Sequence, residues 1–229
     1  MDLSPKTLKE QARFALREIC GEATAVIILR GCVAIPVIGG AAVLAFLGET
    51  DGGLVVFTVF CLLQMLALAT LSGALSVGSA RYYLNAAALR DPQVIQLFGS
   101  FKDYRGTVEM YLLKTAFTLL WSLLLAVPGV IAALRYAMTP YIMAVNPGMK
   151  AVQALRLSAE MMKGRKPAYF RLLLSFAGWY LLCLLTAGVG AFFIAPYIET
   201  AKAAFFNACA EENGVLVGVE TELIDTIDI

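Results

Sequence analysis

The sequence predicts an all-α fold: a polytopic transmembrane helix bundle of six spans, arranged as three hairpins, with amphipathic helices at the membrane interface. Three observations lead there. The composition is too apolar for a chain surrounded by water, four long runs carry no charge, and the cations are unevenly placed. Of 229 residues, 60% are apolar and 15% charged. A soluble domain has about 45–50% apolar and about 25% charged residues. The balance of polar surface therefore points to lipid as the solvent.

The charge-free runs cover residues 31–48, 54–80, 115–134 and 172–198. A membrane span needs about 20 apolar residues, so a simple count gives four helices. That count conflicts with the rule that Lys and Arg collect on the cytoplasmic side. If 115–134 crossed once, the basic segments 81–114 and 135–171 would face opposite sides. Pro128-Gly129 and Gly188-Val189-Gly190 lie in the middle of the third and fourth runs. Pro and Gly break helices and permit tight turns. If both sites are outer turns, the spans become roughly 30–48, 54–80, 107–127, 130–146, 167–187 and 190–210. The outer connections then hold no Lys or Arg, and both termini are cytoplasmic. The segment 130–146 is close to the minimum length for a span. Cations precede the first apolar run, as in a signal peptide. Arg30 comes late and no convincing cleavage site follows, so an uncleaved first span is expected.

Shifting the chain by 58 residues places Tyr111 on Tyr169, Trp121 on Trp179 and Arg105-Gly106 on Lys163-Gly164. With the offset tightened by two, Pro140-Tyr141-Ile142 meets Pro196-Tyr197-Ile198. Asp91-Pro92, Asn146-Pro147 and Ser4-Pro5 each read as a capping residue with Pro at the first helical position. The expected organisation is one membrane domain over 1–210. It consists of an amphipathic helix 5–20, hairpin 30–80, amphipathic helix 92–105, hairpin 107–146, amphipathic helix 147–163 and hairpin 167–210. Parallel repeats of this kind occur in transporters. In the third amphipathic helix Met149, Val152, Leu155, Ala159 and Met162 recur at helical spacing. That face could lie on lipid headgroups or pack on the bundle. Arg105, Lys150, Arg156, Lys163, Arg165 and Lys166 are the expected basic interfacial residues.

Residues 1–210 carry +7, and the tail 211–229 carries −6. The tail is expected to be an acidic cytoplasmic extension, either solvated or drawn to the basic face. The five cysteines form no C-x-x-C pair, so no disulfide framework is expected.

The strings LWSLLLAVPGVIAALRYAMTPYIMAVNP, MMKGRK and LLLSFAGWYLLCLLTAGVGAFFIAPY resemble signature blocks of an uncharacterised bacterial integral membrane protein family, domain of unknown function 975. The combination of Arg135-Tyr136, Asn146-Pro147, Gly164-Arg165-Lys166, Gly178-Trp179 and Pro196-Tyr197 carries the resemblance. It covers about residues 6–210 and leaves out the acidic tail. It implies a multi-pass protein of the bacterial cytoplasmic membrane, and it supplies no catalytic residues.

The chain has no histidine, which removes Ser-His catalysis and most zinc sites. It has neither a G-x-x-x-x-G-K-[ST] phosphate loop nor a G-x-S-x-G elbow. No catalytic, cofactor or metal residue is expected, and the chain is not expected to be an enzyme. Nucleic acid is not an expected partner at a net charge of +1. Membrane lipid is, and a protein partner or second copy could be. The functional leads are polar groups inside spans: Gln64, Arg135, Glu199, Lys202 and Asn207. Arg135 and Glu199 could lie at similar depth and bridge the repeats. Alternatively Arg135 snorkels outward and Glu199 pairs with Lys202 on its own helix. Ser72, Ser76 and Ala80, with Gly73 and Gly78, form a small-residue face for close packing within the monomer or in a homodimer. Two function classes remain: a non-enzymatic scaffold that organises partners or lipid, and a transporter or accessory subunit for a small solute, peptide or lipid.

Overall fold

In the computed structural model the described residues are 4–17, 19–32, 53–90, 92–186 and 190–213; within them the side chains at 32, 53, 54, 56, 57, 65–69, 126, 184 and 213 are not described. Every regular element among these residues is helical. The outer connection 49–53, Gly188 and the tail from residue 214 fall outside them, apart from Gly53 in its helix.

Helix α1 (Pro5–Leu16) starts as the Ser4-Pro5 pair predicts. Ser4 is extended and its hydroxyl accepts from the Lys6 amide at 3.4 Å, while Pro5 occupies the first turn. Leu8, Ala12, Ala15 and Leu16 form its buried stripe. Helix α2 (Cys20–Cys32) follows, then α3 (Gly53–Ala87). At 1.5 Å per residue α3 is about 52 Å long, and its first charged residue is Arg81.

After α3 the expected amphipathic helix 92–105 is replaced by shorter pieces. Helix α4 (Gln96–Gly99) runs into a 3₁₀ turn at Ser100–Asp103 and then into α5 (Tyr104–Leu124). Gly78 of α3 lies so close to α4 that a Cβ there would run into the backbone of Leu97. Gly73 similarly faces the carbonyl of Thr107 on α5. Gly73 and Gly78 are therefore used for close packing inside the monomer.

The chain reverses at Leu125 (φ −165°, ψ 146°), three residues before Pro128-Gly129. Pro128 instead sits within the first turn of α6 (Ala126–Arg135). A Cβ on Gly129 would meet the backbone of Ser122 at 2.7 Å. Further from the turn, the Phe117 and Tyr136 rings lie 6.0 Å apart. As one number falls the other rises, which marks an antiparallel hairpin. The expected helix 130–146 is broken at 136–138, and α7 (Thr139–Val145) resumes after it. Pro140 has no N–H to give to the Tyr136 carbonyl; the Thr139 hydroxyl donates to that carbonyl at 2.9 Å instead.

Asn146-Pro147 ends a helix rather than starting one. The Asn146 amide side chain donates to the Ile142 carbonyl at 3.2 Å, closing α7. Helix α8 (Ala151–Met161) begins four residues later with Lys150 as its N-cap. Its buried stripe is Ala151, Ala154, Leu155, Ser158, Ala159 and Met161. The stripe is rotated from the expected one, so Val152 is half exposed. The helix packs on the bundle, and Ser158 donates to the Arg135 carbonyl at 2.9 Å.

The expected span 167–187 is two helices, α9 (Lys166–Leu174) and α10 (Ala177–Leu185), separated at Ser175-Phe176. The last is α11 (Ala191–Asn213), with Pro196 inside it. Tyr169 pairs with Phe205 at 5.1 Å and Phe176 with Tyr197 at 5.3 Å. These pairs make α9–α10 antiparallel to α11.

The two ends of the bundle differ. One end holds the core: Tyr82, Tyr83, Phe205 and Phe206 are fully buried. There Arg81 donates twice to the Ala144 carbonyl, at 3.1 and 2.9 Å, and Arg165 pairs with Glu212 at 2.6 Å. Around the hairpin tips the large apolar side chains point outward: Leu123 is 87% exposed, Leu185 79% and Phe193 70%. Among the described residues no helix is long and apolar enough to cross a membrane; much of the apolar first half of α3 has side chains outside that set.

Candidate functional site

A cavity of about 460 Å³ lies between α2, α3, α5, α6, α7, α9 and α11. Each wall follows from a local feature already described. The small side chains Ser76, Ser79 and Ala80 hold the α3 wall back. Tyr111, Lys114, Thr115 and Thr118 come from successive turns of α5, at helical spacing. The break before Pro140 turns Tyr141 inward, and Tyr169, Glu199 and Lys202 complete the opposite side.

Among the described lining residues Glu199 is the only carboxylate. Lys202 donates to its Oε1 at 3.0 Å, and the Tyr141 hydroxyl donates to its Oε2 at 3.3 Å. Both Glu199 and Lys202 side chains are about one-fifth exposed, so water reaches the pair only in part. Tyr141 is fixed from behind by the Phe206 ring, 5.6 Å away. Arg30 stands at the rim, its Nη1 donating to the Ser79 hydroxyl at 3.5 Å. Lys114 lines the cavity, and its ammonium group donates to no described residue. Among the described lining residues, three cations thus face the space with one carboxylate.

Of the polar cluster expected from the sequence, Glu199 and Lys202 line the cavity. Gln64, Arg135 and Asn207 do not. The Arg135–Glu199 bridge is absent among the described ion pairs. Arg135 is exposed and rests on its neighbour's ring, 5.6 Å from Tyr136, while Glu199 takes Lys202 three residues along its helix. The reason is the break at 136–138, which ends α6 at Arg135 and leaves its side chain outside. Arg30, Lys114, Tyr141 and Tyr169 lie outside the polar cluster that the sequence predicts. Lys114 carries a signal, since it is the one cation inside the expected span 107–127.

The outer turn residues have different fates. Pro128 and Gly129 lie just after the reversal, Gly188 is outside the described residues, and the Gly190 amide donates to the Thr186 hydroxyl at 3.1 Å. Arg105, Lys150, Arg156 and Lys163 are exposed, and Arg165 and Lys166 are half-buried. Among the described residues no group of His, Cys, Asp and Glu could hold a metal. Cys20, Cys61 and Cys183 are free thiols.

Fold and site together define an all-helical bundle with a cation-rich cavity among its helices. The model of one family, described as protein of unknown function (DUF975), matches residues 54–213, and the chain belongs to that family. No curated protein and no solved structure matches the chain.

Proposed function

We propose that the chain is an integral protein of the bacterial cytoplasmic membrane that binds a small solute or lipid group in its cavity, as a transporter or a transporter's accessory subunit. The observation that carries this reading is a charged cavity in a bundle whose hairpin tips expose leucine and phenylalanine. Isolated charges are expensive in a low-dielectric interior. Where they occur among membrane helices they usually face a substrate or ion pathway. The membrane part of the reading rests on the outward apolar tips and on the charge-free sequence 54–80. An exposed apolar surface of that extent needs lipid or a partner to cover it.

A second reading is a non-enzymatic scaffold. The exposed cations Arg105, Lys150, Arg156 and Lys163 at the packed end favour it, since a basic rim suits acidic lipid or an acidic partner. Solvent access to the cavity separates the two. In a cysteine-free chain, Thr118→Cys in proteoliposomes should react with a small water-soluble thiol reagent. If it stays unmodified from both sides while Lys150→Cys reacts, the cavity is closed to water and the scaffold reading replaces transport.

A further inference from the structure

We propose that the cavity is an anion site, and that Arg30 and Lys114 hold a phosphate monoester group within it. This rests on the reading of the cavity as a binding site and names its ligand class. Glu199 offers little to a ligand, because Lys202 and Tyr141 already occupy its two oxygens at 3.0 and 3.3 Å. The pair neutralises itself along one wall. Arg30 and Lys114 line the same space, and among its described lining residues Glu199 is the only carboxylate. Arg30 has one long contact, to Ser79 at 3.5 Å, and a guanidinium carries five N–H donors. Lys114 has three donors and gives none to a described residue. The Tyr169 hydroxyl, on the same lining, also donates to no described residue.

Arg30, Lys114 and Lys202 against Glu199 give the described lining a surplus of +2. A phosphate monoester carries about −1.5 to −2 at neutral pH, so it matches that surplus. A carboxylate or a phosphodiester, at −1, leaves one cation without a counter-charge. Charge-assisted hydrogen bonds from guanidinium and ammonium groups to phosphate oxygens are the strong kind. A phosphate monoester can come from a water-soluble molecule or from the headgroup of phosphatidic acid; the chemistry at the cavity is the same.

The full chain purified in neutral detergent tests this. Binding of sn-glycerol 3-phosphate is measured by calorimetry at constant ionic strength, with acetate as the monoanion control. Nanodiscs doped with phosphatidic acid or with phosphatidylglycerol form the lipid arm. Tighter binding of glycerol 3-phosphate than acetate supports a soluble ligand. Enrichment of phosphatidic acid over phosphatidylglycerol around the protein supports the lipid source. Lys114→Gln should weaken the favoured ligand at least tenfold, whereas Lys163→Gln on the exposed rim should leave it within twofold. Arg30→Gln, at the open rim, gives the same readout if Lys114→Gln does not fold. Equal binding of monoanion and phosphate monoester in both arms, or binding indifferent to both substitutions, overturns the proposal. If Thr118→Cys is nevertheless accessible, the cavity stands and only its ligand class is wrong.

Discussion

Gly78 and Glu199 each owe their role to what lies opposite. A methyl group at Gly78 has only the Leu97 backbone to push against, and backbone yields less readily than a side-chain end. Gly78→Ala should therefore destabilise the protein by about 1–3 kcal/mol, the usual cost of overpacking. Gly31, on α2, has nothing within 4 Å of its would-be Cβ. Gly31→Ala should instead stabilise by about 0.5–1 kcal/mol through helix propensity. Thermal melts of the two variants in one detergent check both signs. For Glu199, the partners are Lys202 and Tyr141, not Arg135. A double-mutant cycle between Glu199→Gln and Lys202→Met should show coupling of roughly 0.5–3 kcal/mol, as for residues in contact. The cycle between Glu199→Gln and Arg135→Gln should add to within about 0.5 kcal/mol. Coupling in the second cycle alone would contradict the observed pairing.

At the scale of elements, packing decides what α1 is. The pattern of Leu8, Ala12, Ala15 and Leu16 is amphipathic, which fits both a helix lying on lipid and one docked on protein. Here it docks: Lys9 donates to the Ser175 carbonyl at 2.8 Å and lies 4.4 Å from the Phe176 ring, and Arg13 lies over Tyr197. Leu8 is buried to 2% exposure. Leu8→Ala should cost about 2–5 kcal/mol, as for other buried leucines, and equilibrium unfolding by denaturant reads that change. A helix merely resting on lipid would show little loss. The same contact shows where the sequence was legible and where it was not. Helix existence follows from periodicity and from Ser4-Pro5. Helix continuity does not, because at the breaks 136–138 and Ser175-Phe176 distant side chains satisfy backbone carbonyls: Ser158 donates to Arg135 and Lys9 to Ser175. Asn146-Pro147 was read as a start because Asn caps either end, and the choice depends on whether its side chain turns back to Ile142. The cavity was half legible. Glu199 and Lys202 stand out as charges inside the expected span 190–210, whereas Lys114 counts with the basic segment 81–114 and Arg30 only opens the span 30–48.

For the whole molecule, the distribution of side chains over the two ends bears on orientation. The antiparallel pairing of α5 with α6, and of α9–α10 with α11, puts Leu125 and Thr186 at hairpin tips. The loops that join these hairpins gather at the opposite end, tied by the Asp103 carboxylate accepting from the Gly148 amide at 3.2 Å and by Arg165–Glu212. The exposed cations Arg90, Lys102, Arg105, Lys150 and Lys163 lie on that end or beside it. Cations left on the cytoplasmic side orient a membrane protein, so the proposed membrane reading predicts loops that face the cytoplasm and tips that face the outside. Single cysteines at Val127 and Lys150, in an otherwise cysteine-free chain, measure this directly in intact cells with a membrane-impermeant maleimide. Val127 is 68% exposed beside the α5–α6 reversal, so Val127→Cys should be labelled. Lys150 is also exposed in the structure, so on the proposed membrane reading it is the membrane that protects Lys150→Cys; it should react after permeabilisation and not before. Labelling of both in intact cells would place loops and tips on one side, and the hairpins could not then be transmembrane.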